Sequence, residues 1–204
     1  MPYANLLIDT AAGIRTITVN RPDKLNALNR DTVTELRAAF DQAATDPRVR
    51  VVVLAGSGPK AFVAGADISE LAKLSPVEAL EFSRYGQELM TRIERYGKPV
   101  IAKIQGFALG GGMELAMACD FRIAAASSSF NVIFSRRGLI AEYGVAYMLP
   151  RIIGQGRASE WLYTGRSIGG AEAERSGFFN RLCAPEELAA AAHALAADLV
   201  AGPT

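Results

Sequence analysis

Histidine occurs once, at His193 in the alanine-rich stretch ELAAAAHALAADLV. A Ser-His-Asp triad or a histidine-based zinc site needs an imidazole held close to other reactive groups. A solitary histidine late in the chain is a poor source of one and reads as a solvated helix residue. The two cysteines, Cys119 and Cys183, stand far apart without metal-ligand or redox spacing, which points to buried thiols rather than a disulfide framework. Neither sign of charge dominates: 22 lysines and arginines face 21 acids, a net +1. No general attraction to nucleic acid or to an anionic membrane follows, so any anionic ligand must be held locally. The opening MPYANLLIDT has no basic flank before a long apolar stretch, and no later segment approaches about 18 uninterrupted apolar residues. These features predict a soluble, cytoplasmic protein with no metal site and no nucleic-acid or membrane partner. Any chemistry falls to carboxylates, backbone amides or hydroxyls.

Half of the 204 residues are hydrophobic, enough for one substantial core. We divide the chain into a core domain, residues 1–184, and the start of a C-terminal helical segment, residues 185–204. The runs NLLID and RTITVN flank the turn-prone TAAG and predict an antiparallel hairpin. RPDKLNALN follows as a loop. DTVTELRAAFDQAATD puts Val33, Leu36, Phe40 and Ala43 on one helical face, and VRVVVLAG is the continuous apolar run of a buried strand. The alternation repeats: SPVEALEFSRYGQELMTRIERYG predicts a second amphipathic helix with Phe82, Leu89, Ile93 and Tyr96 on a common face, and KPVIAKIQG the next strand. MELAMAC follows glycine-rich turns, DFRIAAA is strand-like, and AYMLPRIIG and RASEWLYTG predict short helices. The fold class is α/β, with stacked, largely parallel sheets covered by helices. The last segment, from Pro185, is alanine-rich and plain, and its ending VAGPT shows no docking feature.

Two junctions share one design. AFVAGADISEL (61–71) and GFALGGGMEL (106–115) each run from a strand-like approach through small residues into a helix. The first amides of a helix have no internal acceptor and carry the positive end of its dipole, so such junctions can bind developing negative charge. The same glycines could equally serve close helix packing. No lysine followed by Ser or Thr comes after the glycines, as a P-loop requires, and the dinucleotide spacing fails at Glu114 and Leu115. Glu114 lies just after the glycine triplet in an apolar run. A buried carboxylate costs several kcal/mol unless it is compensated, so Glu114 is either paired or used.

The two junctions, with RPDKLNAL before them and GLIAEYGVAYMLPRIIG after, resemble the crotonase superfamily, the enoyl-CoA hydratases and isomerases. The resemblance runs from about Leu6 to Leu188. It implies a crotonase-like ββα superhelix of stacked repeats, with a C-terminal helical part shorter here than in other members. It implies an acyl-CoA substrate whose thioester oxygen is held by the N–H groups of Ala66 and Gly111. Lys24, Leu25, Ala27, Ala64, Asp67 and Ile68 then lie along the CoA-binding segments, and Glu114 acts as general acid or base. Coenzyme A comes as part of the substrate, with no separate cofactor, and the assembly is a homotrimer or dimer of trimers.

Typical hydratases in the superfamily carry a second glutamate in a PEI-x-x-G segment, four residues before the glycine that Gly138 matches. Here that position is Phe134, which can neither activate water nor donate a proton. GLIAEYG instead supplies Glu142, where some relatives carry an aspartate, and Glu114 with Glu142 could move a proton between two carbons; a surface role for Glu142 is the alternative. Arg136 and Arg137 could pair with Glu142 or a substrate carboxylate, or form a structural ion pair. The reaction is expected to be hydration or double-bond isomerisation of an unsaturated acyl-CoA through a stabilised enolate. The rival from another class is a non-catalytic acyl-CoA-binding or assembly subunit.

Overall fold

The structure, a computed structural model, describes residues 3–141 and 143–202. Leu6–Ala11 (β1) and Ile14–Val19 (β2) pair antiparallel. Their turn is Ala12 and Gly13, with φ of 48° and 82°, the two positive values that match a tight turn to the strands' right-handed twist. Helix α1 (Arg30–Thr45) starts at Asn29, whose side chain accepts from Thr32 N–H, and buries Val33, Leu36, Phe40 and Ala43 as the periodicity predicts. All six residues of β3 (Val51–Gly56) are buried. The chain continues through β4 (Ala61–Val63), the one-turn α2 (Ile68–Leu71) and α3 (Pro76–Glu94), the last begun by a reciprocal Ser75–Glu78 capping box. Next come β5 (Val100–Ile104), β6 (Phe107–Leu109) and α4 (Gly111–Ala118). Strands β7 (Phe121–Ala125) and β8 (Ser129–Asn131) lead through a 3-10 turn at Ile133–Arg137 to α5 (Val145–Ile153) and α6 (Gln155–Thr164). Strand β9 (Ser167–Gly169), α7 (Gly170–Arg175), β10 (Arg181–Cys183) and α8 (Leu188–Ala201) complete the described chain.

Three successive strand pairs, β3/β4, β5/β6 and β7/β8, deliver one strand to each of two sheets. The larger has the order β1-β2-β3-β5-β7-β10 and the smaller β4-β6-β8-β9. Both are parallel except for β1/β2 and β8/β9. A helical segment follows each pair, which makes the repeat ββα. The main core lies between the sheets and the helices, and includes Phe40, Phe62, Leu89, Phe130 and Trp161. Trp161 is a packing residue there, in an edge contact with Phe130, which stacks on Phe178 at 4.6 Å.

The alanine-rich end is docked, contrary to its featureless appearance in the sequence. Helix α8 lies on the outer face of the larger sheet, where Leu188, Ala191, Ala192 and Ala196 bury Ile14, Val51, Val53, Ile101 and Ile123. Its small side chains let the helix approach the sheet closely, and Arg50 Nη2 ties its end by donating to Gly202 O at 2.7 Å. His193 points away from that contact and is exposed. Among the described residues no helix is long and apolar enough to cross a membrane.

Candidate active site

Strands β4 and β6 are parallel neighbours, so the two junctions that follow them lie side by side. Each presents one backbone N–H whose direction can be derived. Gly65 O accepts from Leu28 N–H at 2.7 Å and Asp67 N–H donates to Leu28 O at 2.8 Å. The N–H of Ala66 shares a trans peptide plane with Gly65 C=O and therefore points the opposite way, away from residue 28. Gly110 O accepts from Glu114 N–H at 3.0 Å, so the Gly111 N–H in that same plane points back out of the N-terminus of α4. Among the described residues neither N–H donates to a protein acceptor. A Cβ placed on Gly111 would stand 3.7 Å from Ala66 N and 3.7 Å from Glu114 Oε2. The two amides and the carboxylate thus border one small space.

Glycines make this approach possible. Gly110 has φ 47° and ψ −117°, open to glycine alone. A Cβ on Gly112 would lie 1.9 Å from Val63 O, so α4 rests directly on the β4 backbone. Glu114 is 1% exposed in the first turn of α4. The far end of that helix is held by Arg122, 7% exposed, which donates to Cys119 O and to Phe178 O, each at 2.7 Å. Burial pushes the neighbouring Cys119 thiol up to about 12.

Of the residues expected along the CoA-binding segments, Ala64 N–H donates to Leu25 O at 3.1 Å, which brings 25–28 and 64–67 together as a short parallel ladder. Lys24, Leu25 and Ile68 are exposed, and Ala27, Ala64 and Asp67 half-buried. The Asp67 carboxylate is engaged within the chain: it accepts from the Ser69 N–H and hydroxyl, at 3.2 and 2.6 Å, and pairs with Arg21 at 3.0 Å. The Ser69 hydroxyl bond, then Arg21, holds its pKa below the ordinary 3.8. Sequence reasoning missed Arg21 and Asn26. Asn26 is wholly buried at φ 57°, and its side chain bonds Arg21 N–H, Ser57 O and Ala61 O. Its available signal was an asparagine, one of the few residues at ease in the left-handed region.

Phe134 is 8% exposed, and its ring end lies 3.9 Å from the Cβ position of Gly110, so an apolar group borders the second junction. Glu142 lies outside the described residues. Tyr143 beside it has φ 50° and is buried against Gly86 of α3. Arg136 Nε donates to Thr164 O at 3.0 Å. Among the described residues neither Arg136 nor Arg137 forms an ion pair, and a pairing with Glu142 falls outside them.

Two sheets joined by ββα repeats, with paired strand-to-helix junctions facing a carboxylate, define the crotonase fold class. Within it the chain belongs to the enoyl-CoA hydratase/isomerase family, whose pattern matches residues 9–204, and it is an enzyme of that type. It is 44% identical over 188 residues to a crotonyl-CoA hydratase of Syntrophomonas wolfei subsp. wolfei, covering 92% of this chain and 72% of that protein. It is 38% identical over 200 residues to a short-chain-enoyl-CoA hydratase of Clostridium acetobutylicum, covering 98% and 77%. The crystal structure of an enoyl-CoA hydratase from Bacillus anthracis superposes with a TM-score of 0.95 at 37% identity, covering 97% of this chain and 77% of that one. These comparisons lend no support to a non-catalytic binding or assembly subunit.

Proposed function

We propose that the chain hydrates an unsaturated acyl-CoA thioester through an enolate whose oxygen is held by the Ala66 and Gly111 N–H groups. The observation that carries this reading is the space bordered by those two amides and Glu114, in which a Cβ on Gly111 would stand 3.7 Å from both Ala66 N and Glu114 Oε2. A thioester carbonyl gains negative charge when a nucleophile adds at its β-carbon or a proton leaves its α-carbon. Fixed amides stabilise that charge without reorganising, and losing one typically costs ~3–4 kcal/mol in the barrier. Glu114, three residues after Gly111, is the general acid or base, delivering a proton to the α-carbon or removing one from water or carbon. The exposed Lys24, Leu25 and Ile68, with Ala27, Ala64 and Asp67, form the binding segments for the CoA portion. The names of the relatives supply crotonyl-CoA and other short enoyl-CoA esters as first substrates to test.

A second reading is double-bond isomerisation, favoured by the buried Phe134 beside Gly110. With no acid at that position, Glu142 takes the second role, and two carboxylates pass a proton between carbons without water. Incubation with crotonyl-CoA and with a 3-enoyl-CoA separates the two: hydration removes conjugated absorbance from the first, isomerisation creates it in the second. Absence of either change in a folded chain that binds CoA esters refutes both. The same proposal includes a homotrimer or dimer of trimers, a cytoplasmic location and no cofactor beyond the CoA carried by the substrate; light scattering tests the assembly.

A further inference from the structure

The Ala66 N–H is aimed by a ladder of only three hydrogen bonds between residues 25–28 and 64–67. So short a ladder can splay unless something spans it. Arg21 does: one guanidinium nitrogen donates to the Ala27 carbonyl on one side, and another to the Asp67 carboxylate on the other, at 3.0 Å. The paired side chains are only 15% and 12% exposed, so water and salt screen them less than a surface pair. A planar fork reaches both acceptors together, which a lysine ammonium cannot do with the same geometry. Arg21 is anchored in turn: its N–H donates to Asn26 Oδ1 at 3.0 Å, and Asn26 Nδ2 donates to Ser57 O at 2.9 Å and Ala61 O at 2.8 Å. The connection runs from the start of β4 through Asn26 and Arg21 to Asp67, one residue from the amide at issue.

We infer that Arg21 is a positioning residue for the reaction: through Asp67 and the Ala27 carbonyl it fixes the direction of the Ala66 N–H, and with it how strongly that amide polarises the substrate carbonyl. The inference rests on the proposed role of Ala66 as an oxyanion donor. Misdirecting one donor weakens the transition state, where the oxygen carries most charge, more than the ground state.

The test uses Arg21→Gln, Arg21→Lys and Asp67→Asn in the full chain. Kinetics are followed on whichever of crotonyl-CoA or a 3-enoyl-CoA is turned over. Carbonyl polarisation is read separately, from the shift to longer wavelength of a bound aromatic enoyl-CoA chromophore. Arg21→Gln is expected to lower kcat by ~10- to 100-fold, the cost of a misplaced reacting geometry, and to reduce the wavelength shift. KM should stay within about threefold, as for a contact felt chiefly in the transition state. Arg21→Lys should recover part of both losses, and Arg21→Gln combined with Asp67→Asn should be no worse than the poorer single variant, because the pair acts as a unit. If Arg21→Gln does not fold, Arg21→Lys and Asp67→Asn carry the same comparison. Wild-type kcat and wavelength shift in these variants would overturn the role of Arg21 and leave that of Ala66 standing. No wavelength shift in the wild type would overturn both.

Discussion

The phenol ring of Tyr143 occupies the space that a side chain at Gly86 would fill: a Cβ there would stand 2.3 Å from Tyr143 Cζ and 2.5 Å from its hydroxyl oxygen. Helix α3 is notched at that point to admit the ring, which is 7% exposed on a residue whose backbone has φ 50°. Helix propensity alone says that Gly86→Ala stabilises, since an interior glycine costs about 0.5–1 kcal/mol relative to alanine. The contact says the reverse. Overpacking of this kind costs about 1–3 kcal/mol, so Gly86→Ala should lower the urea midpoint. A midpoint that rises instead would show the ring free to step aside.

Glu114→Gln keeps the size and shape of the side chain, turning one oxygen into an amide NH2, while removing its proton chemistry. Glu114 is 1% exposed, and an amide of equal volume fits the same space in α4. Turnover of crotonyl-CoA and of 3-enoyl-CoA should both fall by roughly 10²- to 10⁴-fold, the range of a lost general acid or base. The melting temperature should hold. Full activity in a folded variant sinks the proposed role.

Much of this site was legible in the chain because its constraints are local. The glycines at 110 to 112 and the small residues at 64 to 66 are required by close backbone approach, and glycine is the residue that permits it. Helix α1 and strand β3 were equally open, one through its four-residue face and the other through an unbroken apolar run. Strand β8 was not, since its three residues are too few for any period to show, and β4 and β6, equally short, showed only as strand-like approaches to the glycine-bearing junctions. Helix α8 hid its docking because alanine, the residue it buries, carries little hydrophobic contrast. Arg21 and Asp67 stand 46 residues apart, and nothing local to either announces the other.

Asp67 also links the site to pH. The Ser69 hydroxyl and Arg21 hold its folded pKa below 3.8, so the unfolded chain takes up its proton first as pH falls. The stabilisation is full above the unfolded value and is lost as pH drops through the folded one. Asp67→Asn should therefore be less stable than the wild type at pH 7, and the gap should start to narrow below about pH 4, the unfolded range for aspartate, and shrink further toward the folded pKa. Urea unfolding of both proteins at pH 7 and pH 3 measures this. A gap of equal size at both values shows that the charge of Asp67 contributes nothing.

Gly111 and Gly112 are adjacent, and their alanine variants should fail for opposite reasons. A Cβ on Gly112 lies 1.9 Å from Val63 O and 2.7 Å from Val63 C, backbone atoms of β4 that cannot yield. Gly112→Ala must lift α4 off the sheet, and loss of folded protein is expected. A Cβ on Gly111 meets nothing closer than 3.7 Å, and alanine at a position it can adopt without strain stabilises by about 0.4–1 kcal/mol over glycine by restricting the unfolded chain. Gly111→Ala should fold as well as the wild type or better. Its added methyl, though, stands between the Ala66 amide and the Glu114 carboxylate, in the space proposed for the substrate carbonyl. Losing the grip of one oxyanion donor costs ~10²- to 10³-fold in kcat, and Gly111→Ala should lose at least that while its melting temperature holds or climbs. Near-normal turnover by a folded Gly111→Ala protein would place the reacting carbonyl elsewhere, because no ligand oxygen and methyl group can share that volume.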